Sequence, residues 1–99
     1  MDAMALEEFC RQLEARIDRI SKKPDREISL DTMEIKELIK FCDDTKKHLV
    51  GPFGNIRVKI GELREYAKNA ARNRDISHLY IGLSGVRRAV RIQFMKLPD

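Results

Sequence analysis

Residues 76–95 read ISHLYIGLSGVRRAVRIQFM, and whether they form a helix or a hairpin determines the fold class of the whole chain. Apolar residues recur there at intervals of three and four, which is typical of one face of an α-helix; they are Ile76, Leu79, Tyr80, Leu83, Val86, Val90 and Phe94. Gly82 and Gly85 argue against a helix here, because each glycine destabilises a helix interior by about 1 kcal/mol relative to alanine. The alternative is a β-hairpin that pairs residues 77–83 with residues 86–94 through Ser84 and Gly85.

The glycines also suggest how this helix packs. Gly82, Gly85 and Ala89 fall on one side of the predicted helix, where they leave room for another backbone to approach. Ile81 and Ile92 lie beside that side, so helix four is apolar around most of its circumference. Such a helix is typical of the centre of a bundle or of an oligomer interface. We therefore expect a protein interface on this helix, at Ile81, Ile92 and Phe94.

Three further helices are predicted upstream from the same spacing of apolar residues. They cover roughly residues 4–22, 32–49 and 55–73. Pro24 ends the first helix and Gly51-Pro52 ends the second, because proline does not continue a helix. With short connections, four such helices predict an all-α fold, a small antiparallel four-helix bundle. If the last stretch forms a hairpin instead, the chain is an α+β protein with a C-terminal β-hairpin.

Helices two and three carry local signals at their starts. Asp31 is expected to be the N-cap of helix two, with Glu34 three residues later in an arrangement that approximates a capping box. Helix three begins ambiguously, because Ile56, Val58 and Ile60 also alternate as they would in a strand. The alanine-rich sequence that follows favours a helix there.

Length and composition predict one helical domain over residues 1–99, either as a whole protein or as the N-terminal domain of a longer one. The apolar runs are far shorter than the roughly 20 residues that a membrane span needs. Met1-Asp2-Ala3-Met4 lacks the basic start and apolar middle of a signal peptide. We therefore expect an intracellular location, cytoplasmic or nuclear. Cys10 and Cys42 both fall on apolar helix faces, where reduced, buried thiols are expected and a disulfide is the alternative.

Charge is distributed unevenly along the chain. Residues 1–50 carry 10 Lys and Arg against 12 Asp and Glu, whereas residues 51–99 carry 10 against 4. Much of the excess follows two predicted stripes that flank the apolar faces of helices three and four. The stripes contain Arg57, Arg64, Lys68 and Arg72 on helix three, and Arg87, Arg88 and Arg91 on helix four. Packed together, the two helices would present one continuous basic surface unless acids of the first two helices neutralise it.

The sequence favours neither catalysis nor metal binding. No two of Cys10, Cys42, His48 and His78 have the close spacing of a structural zinc site. The adjacent carboxylates Glu7-Glu8 and Asp43-Asp44 point about 100° apart on a helix, so they do not form a catalytic dyad. We therefore expect no enzymatic activity, no cofactor, no metal and no small-molecule substrate.

Two functions are compatible with these patterns. The leading hypothesis is a non-enzymatic interaction module that binds a protein partner or a second copy of itself through helix four and its basic flank. The alternative is a nucleic-acid-binding protein that contacts phosphates with the two basic stripes. A helix-turn-helix built from helices two and three has the right gross shape, but both predicted helices are longer than that motif usually uses.

Overall fold

The described part of the chain, residues 3–95 in a computed structural model, consists of four helices and two short 3₁₀ turns. The helices are α1 (Ala3–Ser21), α2 (Met33–Lys46), α3 (Gly54–Asn73) and α4 (Ser77–Met95). The turns are Asp25–Glu27 and Gly51–Phe53. These bounds confirm the predicted all-α bundle, with a helix rather than a hairpin over the last stretch. No strand occurs within residues 3–95.

Each helix packs against its neighbours in sequence, and α4 closes the ring by packing against α1. The helices run antiparallel. Lys23, just after α1, lies 3.3 Å from Glu34 at the start of α2, and the rings of Phe53 and Phe94 lie 6.3 Å apart at the opposite ends of α3 and α4. In the ring of four helices, the groove where α2 meets α3 lies on the opposite side of the bundle from the groove where α1 meets α4.

One apolar core lies inside this ring, formed by the inward stripe of every helix. Burial of a leucine or isoleucine side chain contributes roughly 1.5–3 kcal/mol to folding. The largest fully buried side chains are Leu6, Leu13, Ile17, Ile20, Ile28, Ile35, Leu38, Leu49, Ile56, Ile60, Leu63 and Leu79. Ile28 belongs to the loop after α1, so that loop is held to the bundle by its own apolar anchor.

Both cysteines lie in this core as free thiols, as the sequence predicts. Burial raises the pKa of the Cys42 thiol to about 12. Burial also raises the pKa of the Cys10 thiol, although Arg87 acts in the opposite direction. Each thiol is therefore protonated at neutral pH and packs as a small apolar side chain.

The start of α2 differs from the prediction. Its N-cap is Thr32, whose carbonyl accepts the first helical hydrogen bond from Lys36, and Asp31 is exposed outside the helix. The Thr32 hydroxyl does not cap the helix. It donates to the Glu27 carbonyl at 2.6 Å and accepts from the Ser29 N–H at 2.8 Å. The prediction of Asp31 as N-cap was wrong because this loop network sets the helix start.

The end of α2 also differs, since the helix stops at Lys46 rather than at residue 49. Beyond the C-cap Lys47, the N–H groups of His48 and Leu49 bond three residues back, to the carbonyls of Thr45 and Lys46, which tightens the final turn. Leu49 is fully buried, so the chain turns here in order to place that side chain in the core.

Gly82 sits where α4 comes closest to α3. A β-carbon built at Gly82 would lie 2.7 Å from Leu63 Cδ1, 2.9 Å from a ring carbon of Tyr66 and 3.3 Å from Leu63 Cα. Gly85, one turn later, has only Lys59 Cδ nearby, at an ordinary 3.6 Å. The glycine side of α4 therefore faces α3. Only at Gly82 is the gap between the helices too small for a side chain.

The connection between α3 and α4 has no proline or glycine. Arg74 ends α3 in the left-handed conformation, with φ 54° and ψ 40°, and both its N–H and that of Asp75 bond to the Ala70 carbonyl. The Asp75 carboxylate then accepts from the Ser77 N–H at 3.0 Å and from the Ser77 hydroxyl at 2.8 Å. Asp75 thus caps the first turn of α4.

The two glycines of α4 provide a matched test of the α3–α4 packing. We expect Gly82→Ala to lower the free energy of unfolding by about 1–2 kcal/mol, because overpacking a core typically costs about 1–3 kcal/mol and outweighs the helix propensity gained. Gly85→Ala, which gains the same propensity without a clash, should raise it by up to about 1 kcal/mol. Urea unfolding followed by circular dichroism measures both. Equal effects of the two substitutions would contradict the assigned packing.

Asp75 makes a pH-dependent contribution to stability. Its hydrogen bonds from the backbone N–H and then from the hydroxyl of Ser77 lower the pKa of the carboxyl below its ordinary value of 3.8. The stabilisation is therefore fully present above pH 3.8 and is lost as the pH falls through the lower, folded-state pKa. We expect Asp75→Ala to lower the melting temperature at pH 7, and to lower it progressively less as the pH falls below 3.8. A deficit that stays constant as the pH falls below 3.8 would rule out this cap.

Candidate interaction surfaces

The two predicted basic stripes lie on opposite sides of the bundle. On α3, Arg64 reaches α2, and its Nε donates to Asp43 at 2.7 Å. On α4, Arg87 reaches α1, where it forms an ion pair with Glu14. Because the α2–α3 and α1–α4 grooves face away from each other, the seven predicted residues do not form one continuous surface.

Three of the seven predicted basic residues are occupied by ion pairs. Arg64 bonds to Asp43 and lies 3.5 Å from Glu65, Lys68 lies 3.8 Å from Glu65, and Arg87 pairs with Glu14. The other four are exposed and form no ion pair with any residue in the described range. They are Arg57, Arg72, Arg88 and Arg91.

Lysines of α2 extend the stripe on α3. Relative to Asp43, Lys36 and Lys40 lie seven and three residues earlier, and Lys46 and Lys47 lie three and four residues later. These spacings place the four lysines on the helix face that Asp43 turns toward α3. The Lys46 ammonium lies 3.7 Å from the position of a β-carbon on Gly61 of α3. We define the α2–α3 basic face as Lys36, Lys40, Lys46, Lys47, Arg57, Arg64, Lys68 and Arg72.

These lysines were not predicted as part of the basic surface, because the first two helices were treated as a source of acids. Their spacing indicates a shared helix face, since Lys36, Lys40 and Lys47 recur at intervals of four and seven. Knowing that this face turns toward α3 rather than α1 required the packing of the two helices.

The α1–α4 side is mixed in charge rather than basic. Glu14 neutralises Arg87 there, and Asp18 accepts a hydrogen bond from the Tyr80 hydroxyl at 2.8 Å. A shallow depression on this side has both acidic and basic walls; it is lined by Glu7, Cys10, Arg11, Arg87, Val90, Arg91 and Phe94. The interleaved carboxylates make this side a poor site for a polyanion.

The predicted interface residues Ile81, Ile92 and Phe94 fall on two different surfaces. Ile81 is 58 % exposed, and Ile92 stands three turns further along the same outer face of α4. Phe94 instead packs near Phe53 and lines the α1–α4 depression. The structure therefore separates Phe94 from the other two residues.

A groove of about 610 Å³ lies between α3 and α4 on that outer face. Its apolar residues are Val58, Ala89 and Ile92, and its charged ones are Lys59 and Arg88. Asn55, Ser84, Gly85 and Gln93 complete the lining. Val58 is 60 % exposed. We call this site, together with the adjacent Ile81, the α3–α4 groove.

The remaining candidate groups do not assemble into a site. His78 packs against the ring of Tyr66 at 5.7 Å between centroids, and His48 is exposed after α2. Across the described residues, no three His, Cys, Asp or Glu side chains come together as metal ligands.

Comparison with known protein families, curated proteins and solved structures gives no match to this chain. None of the helices in the described region has an apolar stretch of the length and hydropathy needed to cross a bilayer.

Substitutions of Arg64 and Arg57 test whether an arginine of the basic face stabilises the fold or only contributes charge. We expect Arg64→Ala to lower the free energy of unfolding by about 1 kcal/mol, because it removes a part-buried, charge-assisted hydrogen bond to Asp43. Arg57→Ala, at an exposed position without an ion pair in the described chain, should leave stability unchanged within error. Thermal and urea unfolding of both variants measure this. A similar loss in both would show that the Asp43 contact contributes nothing specific.

Proposed function

We propose that this chain is a non-enzymatic protein-interaction module and that the α3–α4 groove is its contact surface. The observation that carries the proposal is the exposure of large apolar side chains beside a concave site, Val58 at 60 % and Ile81 at 58 %. Scattered exposed apolar residues are normal on any protein. Apolar residues that line and border one groove are typical of a binding surface.

The shape of the groove suits a helical partner. Ile81 and Ile92 are 11 residues apart, which corresponds to about 16 Å along the axis of α4. A partner helix of about 11 or 12 residues spans that length with an apolar residue at each end. Ser84, Gly85 and Ala89 lie between the two isoleucines and have small side chains, so a partner backbone approaches closely there, beside the larger Arg88. An amphipathic helix seated between two helices is a common mode of recognition.

Charge at the rim favours an acidic partner over a second copy. Arg88 is exposed and forms no ion pair with a described residue, whereas Lys59 is engaged by Glu62 at 3.3 Å. A two-fold contact centred on Gly85 would bring Arg88 of one copy close to Arg88 of the other, and that like-charge contact is unfavourable. The partner is therefore an amphipathic helix with a carboxylate beside its apolar ridge.

The test is a titration of the protein with two designed helical peptides that share one apolar ridge. One peptide carries glutamates beside the ridge and the other carries lysines. We expect the acidic peptide to bind at least about tenfold more tightly and to shift the methyl NMR signals of Val58, Ile81 and Ile92. Ile92→Asp should abolish binding, whereas Met33→Asp, at an exposed apolar position on α2, should leave it unchanged.

Light scattering of the free protein tests the choice of occupant. A monomer whose peptide binding is lost in Ile92→Asp supports the proposal. A dimer that dissociates in Ile92→Asp would assign the groove to a second copy and overturn the partner named here. Equal affinity for both peptides would remove the role given to Arg88.

A further inference from the structure

We propose that the α2–α3 basic face binds the phosphate backbone of duplex nucleic acid. This inference concerns a different surface from the α3–α4 groove and does not depend on it. It also differs from the sequence-based alternative, because Arg87, Arg88 and Arg91 of α4 are not part of this face.

The charge of the face is high and weakly compensated. Its eight basic side chains touch or share the face with four carboxylates, Glu37, Asp43, Asp44 and Glu65, of which Glu37 is exposed three residues before Lys40. Together these groups carry a formal charge of +4, as large as that of the entire chain. The positive charge of the protein is thus concentrated on one side, and such a patch attracts a polyanion.

The basic groups form two rows that suit an extended, regularly charged ligand. Arg57 and Arg72 mark the ends of the α3 row, about 22 Å apart along the helix. Lys36 and Lys47 mark the ends of the α2 row, about 16 Å apart. The axes of packed helices are roughly 8–10 Å apart. A duplex carries one negative charge per about 1.7 Å of its axis, so both rows meet phosphates along their whole length.

The positions of the aromatic residues favour a duplex over a single strand or a protein. Within the described residues, Phe9 stacks on Phe41 between α1 and α2, at 5.0 Å between ring centroids. Phe53 packs near Phe94, Tyr66 near His78, and Tyr80 bonds to Asp18 on α1. The basic face therefore has no aromatic platform on which unpaired bases would stack. It also lacks the aromatic anchors that concentrate binding energy in protein interfaces.

Rows of lysine and arginine contact phosphate groups rather than the edges of bases. Arg64 is held by Asp43, so it contributes charge while its position stays fixed. Lys36, Lys40, Arg57 and Arg72 are exposed and form no ion pair with a described residue, and Lys47 is exposed beside Asp44 at 3.8 Å. We therefore expect sequence-independent binding that weakens steeply with added salt.

The test is fluorescence anisotropy with a labelled mixed-sequence duplex of about 20 base pairs, as DNA and as RNA, over a series of salt concentrations. The face variant is Lys40→Gln/Arg57→Gln/Arg72→Gln. The control is Arg19→Gln/Lys22→Gln/Arg91→Gln, which removes the same charge from exposed positions outside this face and outside the α3–α4 groove. Circular dichroism establishes that both variants are folded.

We expect the face variant to raise the Kd at least about tenfold and to reduce the slope of log K against log salt by about 2.7, the value for three lost phosphate contacts. The control should change the Kd less than about threefold. Binding of the wild type to either duplex with this pattern supports the proposal.

Equal weakening by the two variants would show that net charge alone acts and would overturn the assignment of this face. Equally tight binding of single-stranded DNA, or of polyglutamate of matched charge, would overturn the choice of a duplex. Absence of wild-type binding at low salt would also overturn it. None of these substitutions touches Val58, Ile81 or Ile92, so failure here leaves the peptide titration at the α3–α4 groove independent.

Discussion

The structure depends on the close approach of α4 to α3 at Gly82. With no side chain at that position, Leu63 and the ring of Tyr66 fill the space against the α4 backbone. In this packing α4 is rotated so that Val86 and Val90 lie in the core, Arg87 reaches Glu14 on α1, and Ile81 and Arg88 face outward. A larger residue at position 82 would disturb this packing, and with it the surfaces on both sides of α4.

Much of the fold was readable from apolar spacing alone. The core residues of all four helices recur at helical intervals, and short connections between amphipathic helices allow few arrangements other than an antiparallel bundle. Where the prediction failed, tertiary contacts prevailed over local preference. Asp31 has the right chemistry for an N-cap, but Thr32 occupies that place because its hydroxyl joins Glu27 and Ser29 in the preceding loop.

The surfaces were less predictable for a physical reason. Periodicity places a residue on one face of its own helix, but it does not say which neighbouring helix that face meets. Arg64 and Arg87 each flank the apolar stripe of a helix, and only the order of packing shows that one meets α2 and the other α1. The lysines of α2 and the arginines of α3 combine into one face for the same reason. The net charge of each half of the chain does not show this face, because acids of α2 cancel its lysines in the sum.

The two protonated thiols in the core make the bundle a reporter of its own local opening. Cys10 lies in α1 against α4, and Cys42 lies in α2. A thiol-reactive reagent attacks the thiolate, which burial suppresses at both positions. Cys42 is fully buried, so its modification proceeds only through excursions that separate α2 from the core. Cys10 lines the depression between α1 and α4, so its rate also includes attack from the surface. The difference between the two rates therefore separates local opening at α2 from surface access at α1.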